Sequence, residues 1–166
     1  MVTPDALRIL CIEVEADIVA VNRLLEELND ARRRVADEPS QQELSHIAYM
    51  LHSIYTAWEG AFHRIATTFE NRLDPARWHE QLLRRMSLAI PHIRPAVIRK
   101  ELLEDLATLR SFRHFFRHSY AVPLRWHKMQ IPLDSVDQAA ATVNASLRRF
   151  LDVVEEIAEK AGEDPS

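Results

Sequence analysis

Ser40-Gln-Gln-Glu-Leu-Ser-His-Ile-Ala-Tyr-Met-Leu-His-Ser-Ile-Tyr-Thr-Ala-Trp-Glu-Gly-Ala-Phe-His-Arg-Ile65 opens on a helix-start signal. Ser40 and Glu43 have the spacing of a capping box, in which each side chain satisfies a backbone N–H that the first turn leaves free. Leu44, Ile47, Leu51, Ile54, Trp58, Phe62 and Ile65 then form an apolar face, which predicts a helix reaching about Glu70. Upstream, Thr3 is placed to cap a helix with Pro4 at its first position and Asp5 behind it. Leu7, Leu10, Val14, Val21, Leu24 and Leu28 give that helix an amphipathic face over about 30 residues, ending near Asp37-Glu38-Pro39.

Downstream, Asp74-Pro75 reads as a cap and helix start, predicting a helix over about 75–90. Pro91 and Pro95 bracket a break, and a further helix is expected over about 96–118. Pro123 and Pro132 mark a connection, after which Ser135-Val-Asp-Gln138 opens a last helix reaching about Glu159. With 166 residues the chain fits one domain, expected over 1–160 with a frayed tail over 161–166. Only Gly60 and Gly162 are glycine, whereas β-rich folds spend glycine on many tight turns. The expected fold is all-α, an up-and-down bundle of four to five helices without internal repeats.

Cys11 is the single cysteine, so no intramolecular disulfide can form, and its apolar helical setting points to a core residue rather than a reactive thiol. Asp5, Glu13, Glu15 and Asp17 interrupt any secretory signal pattern, and no apolar run reaches the roughly 20 residues that span a bilayer. A cytoplasmic protein that does not engage membranes is expected. The net charge of −4 hides an asymmetry: residues 91–130 carry eight Lys/Arg against three acids, so that window is +5 and the remainder −9. Leu106 to Leu133 contains no acid, and four of the eight histidines lie between 91 and 130. A local positive field on an acidic body suits a specific anionic ligand better than general adhesion to nucleic acid.

Leu109-Arg-Ser-Phe-Arg-His-Phe-Phe-Arg-His-Ser-Tyr120 concentrates that charge. On a helix, Phe112, Phe115 and Phe116 fall on one side, expected to anchor it, and Arg110, Arg113, His114 and Arg117 cover the opposite arc. Like charges three and four residues apart repel, so an acid-free arginine face calls for a use. Guanidinium forks suit phosphate oxygens, and imidazole exchanges protons near neutrality. Together they meet the needs of RNA transesterification: a base for the ribose 2′-OH, an acid for the departing 5′ oxygen, and cations for the charged transition state. Arg113 and His118 are five residues apart, about 140° on a continuous helix. They converge only if the helix ends near His118 or a second subunit supplies the partner.

Arg113-His-Phe-Phe-Arg-His118 with Ser119 and Tyr120 resembles the Arg-x4-His-x-Tyr signature of HepT-like toxins of the HEPN superfamily, the type VII toxin–antitoxin class. Tyr55-Thr-Ala-Trp-Glu59-Gly-Ala-Phe62 is similar to that family's second-helix pattern, and Trp78-His-Glu-Gln-Leu-Leu83 with Arg94-Pro95 to the segment before its catalytic helix. The likeness covers about residues 45–130, and His114 stands where many members have Asn. The resemblance implies a HEPN-like homodimer that cuts RNA, tRNA or mRNA, without metal or cofactor and leaves 2′,3′-cyclic phosphate ends. Arg113 and His118 would be catalytic, with Arg110, His114, Arg117 and Glu59 binding RNA or supporting. A cognate (MntA-like) nucleotidyltransferase antitoxin would transfer AMP onto Tyr120, placing anions beside His118.

Four other readings remain. His114 and His118 have the spacing of two zinc ligands but no third ligand nearby. Glu59 and His63 could form a surface pair, and Trp126-His-Lys128 could stack on a base, although packing of Trp126 is simpler. Finally, the chain could be a non-catalytic HEPN module whose basic face docks a nucleotidyltransferase or a nucleotide.

Overall fold

The structure, a computed structural model, describes residues 2–35, 37–70, 78–119 and 121–162, without the side chain of Glu80. Five α-helices occur among them: α1 (Pro4–Arg34), α2 (Gln41–Glu70), α3 (Trp78–Met86), α4 (Leu103–His118) and α5 (Trp126–Gly162). No strand is present among the described residues, and the helices pack together as an all-α bundle. No helix of the described residues is long and apolar enough to cross a membrane.

Local chemistry sets the first two helices. Thr3 Oγ1 accepts from the Ala6 amide at 3.2 Å and caps α1. At α2, Glu43 Oε2 accepts from the Ser40 amide at 2.8 Å while Ser40 Oγ accepts from the Glu43 amide at 3.2 Å, completing the capping box. Helix α2 lies at the centre, packed on α1, α3, α4 and α5. Trp58, Tyr55 and Phe62 are fully buried, as their positions on its apolar face require. Trp58 Nε1 donates to Asn144 Oδ1 at 2.9 Å, and Asn144 Nδ2 donates to Asn22 Oδ1 at 2.9 Å. This chain ties α2 to α5 and α1 and satisfies an indole N–H that burial would otherwise leave unpaired. Cys11 is buried in the core, and burial raises its thiol pKa.

Three boundaries depart from the sequence expectation. Helix α3 stops at Met86 rather than near residue 90, because the following chain folds into a turn closed by reciprocal Ile90–Arg94 backbone bonds, with His92 at a left-handed φ of 61°. The predicted start of α3 at Asp74-Pro75 lies outside the described residues. Helix α4 does not begin at residue 96: Val97 and Ile98 donate their amides to the Met86 carbonyl at 2.8 and 3.2 Å, which holds that stretch in a bend outside the helix. A 3-10 turn at Lys100–Leu102 then leads into α4.

The largest difference is α5, which begins at Trp126 and carries Pro132 inside it. Proline in a helix removes one backbone bond and costs about 3 kcal/mol. Met129, Pro132, Leu133 and Val136 are all buried in one register, and each large apolar side chain returns about 1.5–3 kcal/mol. Burial of this turn outweighs the break that Pro132 signals locally.

Arg94, counted above with the positive field, is buried instead. Its guanidinium ion-pairs with Glu70, shared with Arg85, and donates to the carbonyls of Leu88, Pro95 and Arg85 at 3.1 Å. It clamps the loop before α4 onto the end of α2 and does not face solvent.

Candidate active site

Helix α4 ends at the histidine of the motif. Its last residue is His118, and the Ser119 amide closes the turn on the Phe115 carbonyl at 3.0 Å. Only Leu106 and Leu109 of this helix are fully buried. Phe112 and Phe116 pack partly against the core, with Phe116 edge-on to His52 at 5.4 Å, but Phe115 is 38% exposed. The expected aromatic anchor is therefore two rings, with the third presented to solvent. The reason is rotational: on the helix Phe115 lies nearest His118 of the three and turns away from α2.

The basic arc divides in the same way. Arg113 lies against α2, its side chain 15% exposed. Its Nη2 is 3.2 Å from Glu59 Oε2, and its Nε donates to Thr56 Oγ1 at 3.1 Å. Arg110 donates to the His79 carbonyl at 3.3 Å. Arg117, His114 and His118 are exposed. Glu59, for which a surface pair with His63 was one alternative, is buried at 3% exposure. It pairs with Arg113 and, through Oε1, with His79 Nδ1 at 3.1 Å, while the His63 ring packs on Trp78 at 4.5 Å. A carboxylate stays buried only with such partners.

Arg113 and His118 share no hydrogen bond, as their separation on one helix requires. His118 Nδ1 lies 2.8 Å from the His114 carbonyl, and the two rings stand 4.4 Å apart. A carbonyl only accepts, so Nδ1 carries the proton and Nε2 is the free nitrogen. The same bond commits one ring nitrogen that zinc binding could use. Among the described residues no cluster of three or more His, Cys, Asp or Glu could hold a metal. Trp126 is partly buried against the core, while His127 and Lys128 are exposed. Tyr120 lies outside the described residues.

Sequence reading missed His52 and Thr56 as neighbours of Arg113, and His79 as a partner of Glu59. Thr56 Oγ1 accepts from Arg113 and donates to the His52 carbonyl at 2.7 Å, and His52 Nδ1 lies 3.5 Å from the same oxygen. Burial lowers the His52 pKa, and nearby Arg113 and Arg117 lower it further. Tyr55 is raised, first by burial and then by Glu59. The signal available was spacing: His52, Thr56 and Glu59 recur at four and three residues, a polar stripe beside the apolar face of α2.

The family model of HepT-like protein matches residues 46–154, more than half of the chain. The chain belongs to the HepT-like protein family. No curated protein and no solved structure matches it. The matched segment begins inside α2 and runs into α5, so it contains Glu59, Arg113 and His118. HepT-like proteins are HEPN-superfamily proteins, a family associated with ribonuclease toxins and a toxin–antitoxin setting.

Proposed function

We propose that the chain is a metal-independent endoribonuclease, the toxin of a toxin–antitoxin pair, with Arg113 and His118 as its catalytic residues. The observation that carries this reading is the contrast between the two. Arg113 is fixed by Glu59 and Thr56 at the α2–α4 junction, and His118 stands at the helix end with Nε2 open. A fixed fork and an open imidazole are what a phosphate diester needs on two sides. Because one helix holds them about 140° apart, one copy's Arg113 serves with another copy's His118 in a homodimer cleft. Exposed Phe115, Val122 and Ile131 around a cavity of about 660 Å³ between α4 and α5 supply apolar area next to the motif for that second copy.

In this reading the 2′-OH attacks phosphorus, the 5′ oxygen leaves, and the products are a 2′,3′-cyclic phosphate and a 5′-hydroxyl. Arg117, Arg110 and His114 border the path of the RNA. The nucleotidyltransferase antitoxin silences the enzyme by transferring AMP to Tyr120, whose phosphate repels RNA. A second reading, a non-catalytic docking module, draws support from Arg113 already having Glu59 as its counter-charge.

Cleavage of a labelled RNA pool in EDTA, with product ends analysed, separates the two. Cyclic-phosphate ends from the wild type and none from His118→Ala support the enzyme. Equal absence of cleavage from both, with Tyr120 confirmed unmodified by mass spectrometry, refutes it. Equal growth of cells expressing either form without antitoxin also counts against the toxin role.

A further inference from the structure

We propose that His52 of α2 is an additional acid–base residue of this site, the group that takes the proton from the ribose 2′-OH. The inference rests on the ribonuclease reading and extends it to a side chain outside the Arg-x4-His-x-Tyr motif.

Thr56 sets the hydrogen count around His52. Its hydroxyl has one proton, and at 2.7 Å that proton goes to the His52 carbonyl, which only accepts. The hydroxyl oxygen is therefore the acceptor for Arg113 Nε at 3.1 Å and for the His52 ring at 3.5 Å. Toward that oxygen His52 Nδ1 can act only as a donor, and the tautomer that does so holds its lone pair on Nε2. No hydrogen bond engages Nε2 among the described residues. The ring is held in place by Phe116, edge-on at 5.4 Å, so its orientation is set by packing and by Thr56 together.

One hydroxyl thus couples the imidazole to the guanidinium proposed to bind phosphate. The charged groups bearing on His52 are Arg113 and Arg117, both from α4. Partial burial and then these cations favour the neutral ring, the form a base must have before it accepts a proton. When an RNA phosphate docks on the two arginines, its charge offsets theirs, and the imidazolium that forms during attack is stabilised. His118 differs: it is exposed, and its Nδ1 meets a backbone carbonyl rather than a hydroxyl shared with Arg113. That division suits one base and one acid.

The step balances without a further reactant. His52 Nε2 takes the 2′-OH proton as the 2′ oxygen bonds to phosphorus. The phosphorus–5′ oxygen bond breaks, and the 5′ oxygen takes a proton from the imidazolium of a facing His118. The cyclic phosphate and the 5′-hydroxyl leave, and a proton returns from His52 to His118 through water.

Single-turnover cleavage against pH in EDTA, with wild type, His52→Gln and His118→Ala, tests the assignment. His52→Gln should lose about 100-fold or more in rate, the usual worth of a general base, and its profile should lose the acid-side limb. An RNA carrying sulfur in place of the scissile 5′ oxygen needs little help from an acid. It should rescue His118→Ala and leave His52→Gln slow. Wild-type cleavage with His52→Gln within a few-fold and an unchanged acid limb overturns the proposal while sparing the ribonuclease reading. Rescue of His52→Gln by the thio substrate overturns the role as base. Absence of cleavage by unmodified wild type removes both the reading and the proposal. To separate chemistry from folding, the His52 ring signals should shift when a 2′-O-methyl oligonucleotide binds. Unmoved ring signals in the presence of bound oligonucleotide also overturn the proposal.

Discussion

Replacing Glu59 tests the physical basis of the site without any assumption about its substrate. Its carboxylate, 4% exposed, faces Arg113 at 3.2 Å and His79 at 3.1 Å. The His79 side chain is 47% exposed, so solvent screens that half and the Arg113 pair dominates. At 3.2 Å and an effective dielectric of about 20, two unit charges attract by about 5 kcal/mol. Desolvation of the carboxylate offsets part of this, and Arg113 keeps Thr56 when Glu59 is lost. Glu59→Ala should therefore cost about 2–3 kcal/mol, just below the usual range for a broken buried pair. Glu59→Gln retains one acceptor and should cost about 1–2 kcal/mol. Urea titrations at one protein concentration measure both, since association would shift the midpoint. A double-mutant cycle with Arg113→Gln should give a coupling of about 1.5 kcal/mol or more. Coupling below about 0.5 kcal/mol would refute the claim that Glu59 fixes Arg113.

Three further outcomes follow from the same geometry. Arg113→Lys keeps the charge but cannot meet Glu59 and Thr56 from one planar group, so RNA cleavage should fall by at least about tenfold while Arg117→Lys loses less. Ser40→Ala removes half of the capping box and should lower stability by about 1 kcal/mol, read as a fall in melting temperature with no change in cleavage. The lowered His52 pKa means that the unfolded chain binds a proton near pH 6.5 that the folded chain does not. Stability from this group is present above pH 6.5 and is lost as pH falls through the lower folded value. The drop in melting temperature from pH 7 to pH 5 should be smaller in His52→Gln than in wild type, and equal drops would contradict the burial of that ring.

Much of the helical framework was legible because its signals are local. The Thr3 cap and the Ser40–Glu43 box are made within three residues, so spacing alone identifies them. The apolar faces of α1 and α2 were readable for the same reason: helical periodicity places Leu7, Val14, Trp58 and Phe62 toward one side whatever lies there. The all-α class and the family resemblance, which the HepT-like match supports, were also available from residue order.

Other features depend on partners distant along the chain. Pro132 signals a break, and only the burial of Met129, Leu133 and Val136 against the bundle carries α5 through it. Arg94 reads as part of a positive field until Glu70 is folded against it, and Glu59 reads as exposed until Arg113 and His79 close over it. The link from His52 through Thr56 to Arg113 joins α2 to α4 across 57 residues for its longer step. For those of these side chains that lie on helices, periodicity determined the face each occupies. What meets that face, and therefore which charges are neutralised, was decided by tertiary packing, because Coulomb and hydrogen-bond energies depend on distances that sequence order does not contain.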